Sequence, residues 1–171
     1  MARFERTRPV PAPSKKASDG YSHNRPYVRA DFEERCAYCL IHEVLRGGLE
    51  NFEIDHFKPR ARFPDELGNF YNLYYSCHPC NFVKRDQWPP GDLIEGGIFF
   101  VDLFVDEAES HFSRDSDGRL LGITAAGSYT IEKLRLNRPQ LIELRNLLWT
   151  FHKLQWPYRR TRAIRAALVW V

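Results

Sequence analysis

Two stretches organise this chain: Cys36-Ala37-Tyr38-Cys39 and Cys77-His78-Pro79-Cys80-Asn81-Phe82-Val83-Lys84. Each holds a Cys-x-x-Cys pair, and 37 residues separate the pairs. Two thiolates three positions apart in a tight turn grip one ion, and two such knuckles complete a tetrahedral four-sulfur shell. A shell filled by protein leaves no position for a substrate, so Cys36, Cys39, Cys77 and Cys80 are expected to hold a structural zinc ion. The competing readings are a redox pair, free core cysteines or two disulfides. A redox pair calls for one such motif at a helix start after a strand, and disulfides call for an oxidising compartment.

The chain between the knuckles is the more informative part. Leu49 to Phe57 reads as a strand, with Phe52 and Ile54 alternating against Glu53 and Asp55. Pro59 ends any ladder there. Residues 60–69 read as a loop, and Phe70 to Ser76 as a second strand or turn. Asn81 to Asp86 reads as the start of a short helix, stopped by Pro89-Pro90-Gly91.

Asp55 and His56 therefore fall at a strand end, where a bend can bring both to one pocket. Asp55 offers a hard oxygen ligand, and Asn81, attached directly to Cys80, offers an amide oxygen. Mg²⁺ or Mn²⁺ suits such a donor set, with water and phosphate completing the shell. Neutral His56 can take a proton from water near neutral pH. Asn72 can fix the loop backbone or orient His56. Lys84, three residues past Asn81, can hold a flanking phosphate, with Lys58 and Arg60 as weaker candidates. Each residue has a plain alternative: Asp55 as a turn cap, His56 as a half-buried hydrogen-bonding group, Asn81 as a helix cap.

Outside the knuckles the signals are coarser. Tyr27 to Glu34 reads as a short helix or turn. Ile98 to Val105 is a strand candidate, Asp117-Gly118 a hairpin turn, and Thr130 to Leu136 a short helix. Asn137 is placed as an N-cap, with Pro139 in the first turn of a helix carrying Leu141, Leu144, Leu148, Phe151 and Leu154. The predicted organisation is a basic flexible arm over 1–27, a zinc-stapled domain over 28–156 and a basic C-terminal helix over 157–171.

The 171 residues are 43% hydrophobic and 27% charged, enough for one packed domain. Net charge is +3, but residues 1–30 and 151–171 each carry +5 and the middle carries −7. Basic ends attract phosphates without reading sequence, and they equally suit a solvated tail and helix face. The segment 92–117 holds eight acids and one arginine, so it is expected to lie away from any nucleic-acid path or against a basic protein. No secretory signal and no apolar run of about eighteen residues occurs, which points to a cytoplasmic protein without a membrane span.

The combined pattern Cys36-x-x-Cys39, Ile54-Asp55-His56-Phe57-x-Pro59, Asn72-Leu73, Cys77-x-x-Cys80-Asn81-x-x-Lys84 closely resembles the HNH endonuclease family, in its four-cysteine zinc subgroup. The resemblance covers residues 36–84. It implies an α+β fold with a ββα-metal (His-Me finger) core and C-terminal helices. It also implies one catalytic divalent ion held by Asp55 and Asn81, His56 as general base, and Asn72 as the family's middle asparagine. Histidine is common at the position of Asn81, so this chain looks like an H-N-N variant with weaker resting metal binding. The implied activity is phosphodiester hydrolysis, with DNA as the expected substrate. The tail Thr130-Ile131-x-x-Leu134-x-Leu136-Asn137-Arg138-Pro139-x-Leu141 is similar to an extension in some bacterial, defence-associated HNH proteins. That adds an antiviral setting and a homodimer or defence-system protein as partner. The residues alone leave two other classes open: a zinc module that binds nucleic acid without cutting it, and a partner-binding protein using the aromatic patch Phe70–Tyr75.

Overall fold

The computed structural model describes residues 24–153. The arm before residue 24, Leu154, the helix stop at Pro157 and the expected basic helix over 157–171 lie outside the described residues.

Helix α1, Arg25–Asp31, opens the fold with Pro26 in its first turn, where its missing N–H costs nothing. It starts two residues before Tyr27, so residues 25–27 belong to a helix and not to the arm. Val28 and Phe32 bury themselves in the core. The chain then forms the first knuckle and a short 3-10 turn, Glu43–Arg46, that reverses through Gly47 and Gly48, both at positive φ.

Strand β1, Phe52–His56, pairs antiparallel with strand β2, Leu73–Cys77, in the register Phe52↔Cys77, Asp55↔Tyr74, His56↔Leu73. The strand expected from Leu49 thus begins at Phe52, after a 3-10 turn over Leu49–Asn51. β2 is buried throughout and runs directly into helix α2, His78–Lys84, with Cys77 extended as N-cap residue and Pro79 in the first turn. The helix begins inside the second knuckle, three residues earlier than expected from Asn81, because Pro79 presets the dihedral of a first turn. It ends at Arg85, whose φ of 43° leaves the right-handed region.

Helix α3, Gly91–Glu95, and helix α4, Ala108–His111, flank residues 98–105. That apolar run is not a strand, contrary to its composition. Side chains take part of its backbone bonding: Val101 N–H donates to Thr130 Oγ1 at 2.9 Å, and Asp102 N–H to Asp106 Oδ2 at 2.9 Å. Phe100, Val101 and Leu103 still bury themselves, and Phe104 packs edge-on against Phe32 at 4.4 Å between ring centroids.

Strands β3, Phe112–Arg114, and β4, Leu120–Gly122, form the hairpin expected around Gly118. Helix α5, Ala125–Lys133, is capped by Thr124, whose hydroxyl accepts from Gly127 N–H, so it starts earlier than Thr130. Helix α6, Pro139–Lys153, buries Leu141 and Leu148 along the expected stripe. Asn137 does not cap it. Its side-chain amide clamps Leu120 of β4, accepting from the N–H and donating to the carbonyl, both at 2.8 Å. The described residues form a small α+β domain with two two-stranded sheets and a shared hydrophobic core. Among the described residues no helix is long and apolar enough to cross a membrane.

Candidate metal centre and adjoining cleft

The four knuckle cysteines converge. Their Sγ atoms all lie within 4.8 Å of one another, every one buried, with Cys39 and Cys77 3.9 Å apart. A tetrahedral ion with metal–sulfur bonds of about 2.3 Å needs sulfurs about 3.8 Å apart, whereas a disulfide needs about 2.05 Å. The cluster therefore fits a single zinc ion, and all four thiols are free. The first knuckle is closed by Ala37 N–H to the Tyr75 carbonyl at 2.7 Å and turns at Leu40, φ 61°.

Crowding splits the thiols. Burial pushes Cys36 up, while hydrogen bonds from Cys36 and Cys39 hold Cys77 and Cys80 down. Two cations face the sulfurs: Arg46 at 3.7 Å from Cys77 Sγ and Arg138 at 2.9 Å from Cys80 Sγ. A four-thiolate zinc centre carries two negative charges, and these guanidiniums offset them. Arg138 also anchors the start of α6 to the cluster.

A cleft of about 210 Å³ opens beside the cluster, lined by Asp55, His56 and Asn81 together with Arg60, Arg85 and Asp86. Adjacent strand residues normally face opposite ways. Here both residues line one opening at the end of β1, just before the chain bends at residues 57–58. No residue of the acidic segment 92–117 lines it among the described residues.

Asp55 is almost buried, and both its side-chain partners meet the same oxygen. Tyr38, from inside the first knuckle, donates its hydroxyl to Oδ2 at 2.5 Å, and Lys84 Nζ lies 3.4 Å away. Burial raises the Asp55 carboxyl above its ordinary range, with the Lys84 ammonium and the Tyr38 hydroxyl opposing. The His56 imidazole is also buried, and this lowers its pKa below the ordinary 6.5 despite a bond to the Leu67 backbone that pulls the other way.

Asn72 belongs to the loop between β1 and β2. Its amide holds the loop after β1, accepting from Lys58 N–H at 2.7 Å and donating to the Lys58 carbonyl at 3.1 Å and the Glu66 carbonyl at 3.4 Å. That loop also supplies Leu67, whose backbone bonds the His56 side chain.

Lys84 departs from its expected role. Its side chain is fully buried and Nζ donates to the His56 carbonyl at 2.9 Å. The ammonium serves the interior end of β1, out of reach of a flanking phosphate. Lys58 is likewise engaged, 2.6 Å from Glu66 Oε1. Arg60 and Arg85 are the exposed cations at the cleft.

Three residues escaped the sequence reading: Tyr38, Arg85 and Glu53. Glu53 receives Asn81 Nδ2 at 2.5 Å and is 2.9 Å from His78 Nδ1. Its one sequence signal was a place two residues before Asp55, on the same strand face.

The chain is similar to a Septu protein PtuA from Bacillus mycoides (strain KBAB4), 25% identical over 166 residues. The similarity takes in 77% of this chain, which spans only 23% of that protein's length. No family model matches the chain.

Proposed function

We propose that this chain is an HNH-type metal-dependent endonuclease, hydrolysing phosphodiester bonds in DNA on a ββα-metal core of β1, β2 and α2. One observation carries the reading: Asp55, His56 and Asn81 line a single cleft beside the cysteine cluster.

The donor set fits a hard cation. Asp55 supplies a carboxylate oxygen and Asn81 an amide oxygen, with solvent and phosphate as the remaining partners of Mg²⁺ or Mn²⁺. When bound, that ion neutralises charge on the phosphate and eases departure of the 3′ oxygen. His56 takes the proton from the attacking water. Burial keeps its imidazole neutral at neutral pH, the form a general base needs. Asn72 fixes the loop carrying Leu67. Lys84 and Tyr38 hold Asp55 in place, and Arg60 and Arg85 attract the substrate backbone.

The resemblance of the C-terminal extension and the similarity to a Septu protein together support a role in bacterial antiviral defence, alongside a defence-system protein or a second copy of this chain. The test is a cleavage panel of plasmid, linear duplex, single-stranded DNA and RNA with Mg²⁺ or Mn²⁺. Cleavage that stops in Asp55→Ala supports the reading, and metal-independent cleavage or none on any substrate overturns it.

A further inference from the structure

An asparagine amide has two ends, and only its oxygen can bind a cation. What turns the oxygen of Asn81 toward the cleft is therefore a separate question from why Asn81 is there. Glu53 answers it. A carboxylate only accepts hydrogen bonds, so the Asn81 atom that meets Glu53 Oε2 at 2.5 Å is Nδ2, the donor. The carbonyl oxygen is then the end left for the cleft that Asn81 lines.

We infer that Glu53 is a positioning residue: by accepting from Asn81 Nδ2 it locks the amide in the one orientation that offers Oδ1 to a divalent cation beside Asp55. The inference rests on the proposed roles of Asp55 and Asn81 as ligands. Glu53 is itself steered. Its other oxygen, Oε1, meets His78 Nδ1 at 2.9 Å, so both carboxylate oxygens are directed at α2. Strand β1 thus sends two acids toward the helix from positions 53 and 55. One faces the cleft, and the other sets the partner that completes it.

This gives Glu53 a signature that neither a ligand nor a structural prop would show. Its importance must depend on residue 81 being an amide. An aspartate has two equivalent oxygens and needs no orientation, and a neighbouring Glu53 would only repel it.

The experiment is a Mn²⁺ titration followed by electron paramagnetic resonance, on the full zinc-loaded chain without nucleic acid. The chains are wild type, Asp55→Ala, Glu53→Ala, Glu53→Gln, Asn81→Asp and the Glu53→Ala/Asn81→Asp pair. Glu53 is 43% exposed, so its removal leaves the core intact. Should the alanine variant fail to fold, the glutamine variant carries the comparison. In the Asn81 chain, Glu53→Ala is expected to weaken Mn²⁺ about ten-fold, the scale for losing a group that orients a ligand. Glu53→Gln, which keeps an acceptor, falls between. In the Asn81→Asp chain the same removal leaves binding unchanged or tightens it. Equal weakening in both backgrounds overturns the positioning role, as does wild-type affinity in both Glu53 variants. If wild type itself shows no Mn²⁺ site sensitive to Asp55→Ala, the ligand assignment fails first and this inference falls with it.

Discussion

Lys84 Nζ donates a 2.9 Å hydrogen bond to the His56 carbonyl from a fully buried position. The same ammonium lies 3.4 Å from Asp55 Oδ2, so one cation joins the backbone of the proposed base to the side chain of the proposed ligand. Burial drives the Lys84 pKa down and Asp55 opposes it, while burial drives Asp55 up and Lys84 opposes that. Each group offsets part of what burial costs the other. Lys84→Met keeps the aliphatic stem and removes the ammonium, leaving Asp55 uncompensated. It is expected to cost about 3 kcal/mol in urea unfolding. An unchanged midpoint would show that the pair is not coupled.

Asn72 tethers the loop between β1 and β2 by bonds at Lys58 and Glu66. Asn72→Ala removes them at about 1 kcal/mol each. Zinc content should stay the same. Turnover should fall roughly a hundred-fold, the scale of a catalytic group displaced by about 1 Å. Cleavage at the wild-type rate would remove Asn72 from the account.

Acid stability depends on a second network. Arg29 grips Glu43 through Nε at 2.8 Å and a second nitrogen at 2.5 Å, and Tyr75 donates its hydroxyl at 2.6 Å. Burial pushes the Glu43 carboxyl up, but these donors outweigh it and the pKa falls below the ordinary 4.5. The unfolded chain then binds the proton more readily, so this stabilisation is complete above pH 4.5 and is lost as pH falls through the lowered value. His42 adds an earlier decline. Burial lowers its pKa from 6.5, so protonation favours the unfolded chain below that value. Glu43→Gln should flatten the unfolding curve below about pH 4.5. The decline that begins below pH 6.5 should persist and deepen, because Glu43 is one of the charges holding the His42 pKa up. An identical acid limb in both proteins would contradict the assignment.

Elemental analysis should find about one zinc per chain, retained under mild EDTA treatment that removes a loosely held Mg²⁺ or Mn²⁺. Cys80→Ser should lose it and lower the thermal midpoint by about 10 °C or more. A folded, zinc-free protein of wild-type stability would defeat the staple.

The knuckles, β1, β2 and the hairpin were legible because their signals are local: a ligand spacing, a period of two, a Gly turn. That Asp55, His56 and Asn81 share one cleft follows the strand-end position of the first two and the attachment of the third to Cys80; the roles given to them remain proposals. The rest depended on what faces what. Lys84 looked like a surface cation because a helix pattern shows which side a residue occupies, not which acid waits beneath it. Residues 98–105 looked like a strand because their apolar content is real, yet Thr130 and Asp106 take the bonds a neighbouring strand would have taken. Glu53 looked like an outward strand residue until α2 brought Asn81 against it.

The most direct test compares wild-type protein with His56→Ala, both zinc-loaded and both with Mg²⁺ or Mn²⁺, in single-turnover cleavage of one nucleic-acid substrate. The imidazole in the cleft is expected to account for at least a hundred-fold of the rate, the low end for a positioned general base. The alanine protein should still bind that substrate. Equal cutting by the two proteins would contradict the assignment of this cleft as the place where the backbone is broken.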